Sequence, residues 1–120
     1  DGKQPKNSFD RSIPRWTSYP QLGREQTVEV TLRKEQKVES VSVYWYDDKG
    51  GVQVPVSWKM EYKLGNEWKE FKPYITDRFG VEPDQYNMVH PDKEISTKVL
   101  RLKIQPKKES TVGILELIVE

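Results

Sequence analysis

Along most of this chain, apolar and polar residues alternate with a period of two. From Gln26 to Arg33, Val28, Val30 and Leu32 fall on one parity and Thr27, Glu29 and Thr31 on the other. Successive strand side chains point to opposite faces, so the pattern predicts a half-buried strand. Lys34-Glu35-Gln36 reads as a polar turn, and Lys37 opens the next strand through Val38, Val41, Val43 and Trp45. A further apolar parity holds Val56, Trp58, Met60, Tyr62 and Leu64. Between these runs, Asp47-Asp48-Lys49-Gly50-Gly51 supplies residues suited to reversing the chain. Pro55 lacks an amide to donate and marks the start or edge of the second run. The two runs are expected to form the central antiparallel pair of a β-sandwich.

Gly65-Asn66 predicts a tight turn into Glu67–Phe71, which would gather Tyr62, Trp68 and Phe71 across a hairpin. Residues 72–85 form a long irregular stretch, punctuated by Pro73, Gly80 and Pro83 and carrying Tyr74, Ile75, Arg78 and Phe79. Long loops rich in aromatic residues tend to be ordered and functional. Short strands are expected at Tyr86–Val89 and Glu94–Thr97, and a strong one at Val99–Gln105 with Leu100, Leu102 and Ile104 inward. Val112–Val119 is apolar on both parities, as for a strand covered on both sides. Residues 1–24 show no period, yet Phe9, Ile13, Trp16, Tyr19 and Leu22 give them apolar anchors. Helical spacing never persists, and no internal repeat is found. The sum is seven or eight short strands, an all-β antiparallel sandwich or jelly roll.

Composition narrows the functional classes. A chain of 120 residues is one domain spanning 1–120, and its Asp1-Gly2 opening is expected of a piece of a larger multidomain protein. Lys and Arg number 20 against 19 Asp and Glu, interleaved in sign, so no basic stripe points to nucleic acid. Without cysteine there are no disulfides, thiolate metal sites or cysteine nucleophiles. No apolar run reaches the length of a membrane span. His90, the one histidine, stands beside Pro91 and reads as an ordinary surface residue. Carboxylates are plentiful, but a glycosidase needs two at a set separation across a cleft, and most of these sit on outward strand positions near Lys. The chain is therefore expected not to be an enzyme. Trp45 and Trp58 lie on the apolar parity and read as core; Trp68 sits on a hairpin. An ion pair between Arg101 and Glu116, on the last two long strands, would be structural.

Several stretches resemble the galactose-binding-like β-sandwich modules of the discoidin and coagulation-factor C-domain type. They are Asp1-Gly2, the segment Asn7–Trp16 (N-S-F-D-R-S-I-P-R-W), Val43–Tyr62, Tyr86–Val89, Thr97–Leu102 and Val112–Glu116. The version most similar is the one appended to bacterial glycoside hydrolases, including β-L-arabinofuranosidase-like enzymes. In that family a strand precedes the Asp-Gly pair, so the sandwich is expected to lack its first strand. The resemblance implies a carbohydrate site in the loops at one end, with Arg15, Trp16 and Tyr19 from the first loop and Tyr74, Arg78 and Phe79 from the long one. Trp16, Tyr19, Tyr74 and Phe79 would instead be buried if these loops only plug the sandwich. It further implies one structural calcium ion near Asp1, Asn7 and Asp10. The expected role is a non-catalytic accessory domain tethering a glycoside hydrolase to plant or host polysaccharide. Its partners would be carbohydrate and the catalytic domain of the same polypeptide, in an extracytoplasmic setting, with neither nucleic acid nor membrane. A purely structural accessory domain and a protein–protein adhesion module are the alternatives.

Overall fold

The computed structural model describes residues 23–120, together with the backbone of a short strand at Trp16–Thr17. Eight strands occur in these residues: β1 (Trp16–Thr17), β2 (Gln26–Lys37), β3 (Val41–Tyr46), β4 (Ser57–Leu64), β5 (Glu67–Phe71), β6 (Tyr86–Val89), β7 (Ser96–Gln105) and β8 (Gly113–Val119). They form two four-stranded sheets, ordered β1-β8-β3-β6 and β2-β7-β4-β5, with every strand pairing antiparallel. This is the expected all-β sandwich.

Two expectations are corrected. β3 and β4 are not hydrogen-bonded neighbours: they belong to different sheets and face one another across the core. Val41, Val43, Trp45, Trp58, Met60 and Tyr62 are buried as their parities require, whereas Val56 and Leu64 are exposed; inward faces meet equally well across a sandwich as along a sheet. The Trp45 and Trp58 rings lie 5.5 Å apart in an edge-to-face arrangement, which suits the aromatic quadrupole. Second, Lys34-Glu35-Gln36 is no turn. β2 continues through it to Lys37, with a register shift against β7 between Thr31 and Gln36. Five steps along β2 from Thr31 to Gln36 match only two along β7, from Val99 to Thr97, and the three extra residues break the pairing that sequence patterning relies on. The expected Glu94–Thr97 strand likewise merges into β7, which starts at Ser96.

The core holds Val38, Val41, Val43, Trp45, Trp58, Met60, Tyr62, Phe71, Val89, Ile95, Leu100, Leu102, Ile104, Val112 and Ile114. β3 is buried at all six positions. Its outward residues Tyr44 and Tyr46 join Val52 and Leu115 in a second apolar cluster, with Tyr86 edge-on to Tyr44 at 5.1 Å. Trp68 sits on the opposite parity from Phe71, outside the core, with the Arg101 guanidinium 3.9 Å from its ring centroid. Arg101 pairs with Glu61 rather than Glu116, because β7 and β8 lie in different sheets.

Strand directions decide which loops meet. Residues 47–56, 106–112 and 23–25 share one end, joined by Gln53 N donating to Thr111 O (3.0 Å), Thr111 N to Gly51 O (2.9 Å) and Gly23 N to Ser110 O (2.8 Å). The 47–54 turn is also braced from within. Asp47 Oδ1 accepts from Lys49 N, and Asp48 Oδ1 accepts from Gly50 N and Val52 N. Lys49 takes a positive φ of 61°. Loop 72–85 instead spans the open side between β5, the edge of one sheet, and β6, the edge of the other.

Candidate functional site

The 72–85 loop is fixed at both ends, and this determines what it can present. At its start, Pro73 forms an isolated antiparallel bridge with Pro91. Tyr74 N donates to His90 O (2.7 Å) and Asp92 N to Lys72 O (2.9 Å). Farther along, the Gly80 carbonyl accepts from both buried indoles, Trp45 Nε1 at 3.1 Å and Trp58 Nε1 at 2.7 Å. Asn87 fastens the return. Its Oδ1 accepts from Glu82 N (3.0 Å), while its Nδ2 donates to Glu82 O (2.9 Å) and Val43 O (3.3 Å). A Cβ on residue 80 would stand 2.6 Å from that Oδ1, so glycine is required by close approach.

Between the anchors the chain turns tightly, with Asp77 N donating to Tyr74 O at 2.7 Å. This brings Tyr74, Thr76 and Asp77 beside His90 around an open cavity of about 420 Å³. Asp77 Oδ2 accepts from His90 N (2.7 Å) and meets His90 Nδ1 at 2.8 Å. The His90 backbone amide holds the Asp77 carboxyl below its ordinary range; burial opposes this and the imidazole reinforces it. The carboxylate thus fixes the ring and leaves Nε2 as the imidazole's other polar atom. Tyr74 is half exposed and the neighbouring Ile75 almost fully so.

An aromatic ring beside a carboxylate, an imidazole and a hydroxyl is chemistry suited to a sugar. The ring offers an apolar platform for C–H faces, and the polar groups can read hydroxyls. Of the lining residues only Asp77 is a carboxylic acid, whereas glycosidase chemistry needs two at a set spacing.

The six sugar-site expectations separate clearly. Tyr74 lines the cavity. Arg78 points to solvent and pairs with Glu82 at 3.2 Å. Phe79 turns inward, partly buried, with its ring 4.9 Å from Trp58 and 6.2 Å from Phe71. Arg15 and Tyr19 lie outside the described residues, and Trp16 is described only as the strand partner of Ile114. The calcium candidates Asp1, Asn7 and Asp10 also lie outside them. Among the described residues no group of three or more His, Asp or Glu is placed to hold a metal. Thr76 and Asp77 went unnoticed in the sequence, and His90, read as an ordinary surface residue, is exposed but lines the cavity. Their meeting depends on the 73–91 bridge, and both bridge residues are prolines, which read as punctuation rather than pairing.

The fold is a β-sandwich like those of carbohydrate-binding modules. The chain belongs to the F5/8 type C domain family, which matches residues 1–117; domains of this type are generally non-catalytic. Among solved structures, one of the Streptococcus pneumoniae β-galactosidase BgaA is similar at a TM-score of 0.70 and 16% identity, over 88% of this chain and 78% of that one. The family 32 carbohydrate-binding module of C. perfringens NanJ, in complex with galactose, is similar at 0.69 and 14%, over 99% and 86%. A Ruminococcus gnavus GH29 fucosidase in complex with fucose is similar at 0.62 and 18%, over 92% of this chain but only 20% of that one. At these identities the likeness shows a shared fold. No curated protein matches the chain in sequence. No helix among the described residues is long and apolar enough to cross a membrane.

Proposed function

We propose that this chain is a non-catalytic carbohydrate-binding module that serves as the accessory domain of a bacterial, extracytoplasmic glycoside hydrolase. By holding the catalytic domain near polysaccharide, it raises the local substrate concentration. The observation that carries this reading is the cavity lined by Tyr74, Thr76, Asp77 and His90, an exposed aromatic beside an oriented His–Asp pair. The family match and the similarity to a galactose-bound module support it. The reading includes one structural calcium ion near Asp1, Asn7 and Asp10.

Affinity electrophoresis of the chain through gels containing plant and host polysaccharides tests it. At least one neutral glycan is expected to retard the protein, and Tyr74→Ala to weaken that retention about tenfold, the loss of a stacking aromatic. Chelation is expected to lower both retention and the melting temperature. Free migration through every glycan, with and without calcium, overturns the binding reading. An unchanged melting temperature on chelation overturns the calcium ion alone.

A further inference from the structure

The outward face of the β2-β7-β4-β5 sheet carries an arrangement that folding alone disfavours. On β4 the outward residues include Ser57, Lys59 and Glu61; on β7 they include Arg101, Lys103 and Gln105. The register sets Lys59 directly opposite Lys103. Facing residues of an antiparallel pair lie about 5 Å apart at Cα, and like charges there are destabilising. Lys103 Nζ leans towards Glu61 Oε1 at 3.4 Å, but Arg101 Nε already holds the same oxygen at 2.6 Å. Lys59 is exposed and has no ion pair among the described residues. Arg101 and Lys103 therefore share the Glu61 carboxylate, with Glu29 opposite Arg101 and Glu70 opposite Glu61 in the same cross-strand row, while the Lys59–Lys103 row holds no acid from β4 or β7.

Beside them lies a shallow groove of about 440 Å³ lined by Glu25, Ser57, Trp58, Lys59, Lys103 and Gln105. Glu25 is the one acid in that lining, and it makes no ion pair with either lysine. The Gln105 amide nitrogen donates to Gly23 O and Pro106 O, both at 3.1 Å, which leaves its side-chain oxygen to accept. Two lysines beside the neutral Ser57 and Gln105 side chains, against the single acid Glu25, suit a ligand carrying both an anionic group and hydroxyls. Trp68 is no second platform here, since the Arg101 guanidinium lies 3.9 Å from its ring.

We propose that this groove binds a carboxylated sugar unit, a hexuronate of an acidic polysaccharide. Its carboxylate lies between the Lys59 and Lys103 ammonium groups, and its hydroxyls bond to Ser57 and Gln105. This goes beyond the Tyr74 cavity, with which the groove shares no lining residue.

The test runs the chain through gels containing polygalacturonate or its fully methyl-esterified form, in which each charged carboxylate is replaced by a neutral methyl ester. Polygalacturonate is expected to retard the protein and the ester not. Lys59→Ala is expected to weaken retention about tenfold, as for a lost charged hydrogen bond. Lys59→Glu is expected to abolish it, and Lys103→Gln to give a second reading of the same site, with melting temperatures checking that each variant folds. Tyr74→Ala is expected to bind polygalacturonate like the parent chain, so failure of the cavity reading and failure of this one are distinguishable. The proposal is overturned if polygalacturonate does not retard the parent chain or if both gels retard it alike. It is equally overturned if the lysine variants bind unchanged, as on a face serving a protein neighbour, or if Tyr74→Ala alone removes binding.

Discussion

Asp77 shows how one side chain gains a role from a contact 13 residues away. Its carboxylate satisfies the His90 amide and orients the imidazole, and its folded-state pKa lies below the ordinary 3.8. The unfolded chain therefore takes up the proton first as pH falls. Asp77's contribution to stability is complete above the ordinary carboxylate range and disappears as pH drops through the folded value. Asp77→Asn keeps an oxygen for the amide but cannot titrate. Urea melts between pH 7 and 3 are expected to show a variant less stable than the parent at neutral pH, with a flatter acid limb that converges with the parent's at low pH; an identical limb would show that the pair contributes nothing. Single residues were legible in the sequence where parity governs them. Trp45 and Trp58 are buried as their alternation requires. Phe79 was not legible: in a loop without period nothing distinguishes an aromatic facing solvent from one facing the core, and it packs on Trp58 while Tyr74 stays half exposed.

At the scale of elements, the long loop is held in place by a side chain from the strand that follows it. Asn87 is buried and binds backbone groups of Glu82, Gln85 and Val43. Removing it strands buried donors and acceptors, so Asn87→Ala is expected to cost about 2 kcal/mol. It is also expected to speed amide hydrogen exchange within 80–85 more than in β7; uniform acceleration across the chain would mean that Asn87 serves the fold generally and not the loop. Strand existence was readable from alternation, and the β4–β5 hairpin from Gly65-Asn66, whose Gly65 has a φ of 63°. Strand partnership was not. An apolar parity states that a strand has an inner face, not which sheet it joins, and so β3 and β4 were expected to pair. The β2 irregularity hid itself for a related reason, because three extra residues without partners on β7 make a continuous strand look like two with a turn.

For the molecule as a whole, most strand pairs join distant parts of the chain, β2 with β7 and β3 with β8. Few local contacts are available to nucleate such a sandwich, which places it among slow-folding topologies. The same topology leaves loops at the ends and one open side, and the side is where the Tyr74 cavity forms. A sheet face carrying the Lys59–Lys103 pair and a side cavity carrying Tyr74 would let one domain meet a heterogeneous polysaccharide at two chemically different points. Simultaneous engagement of both would raise avidity without any new contact. The carbonyl of Gly80 gives this molecule an optical consequence. Two indoles share that oxygen, stand 5.5 Å apart, and sit in the same chain segment's grip as the loop that lines the cavity. Their emission and near-ultraviolet dichroism therefore report on how firmly the loop is seated. A glycan that closes on Tyr74 is expected to change that signal in proportion to occupancy, without any attached dye. A Trp58→Phe variant, which keeps a ring but loses the donor, is expected to lose most of the response, whereas a full response would locate the signal at another tryptophan.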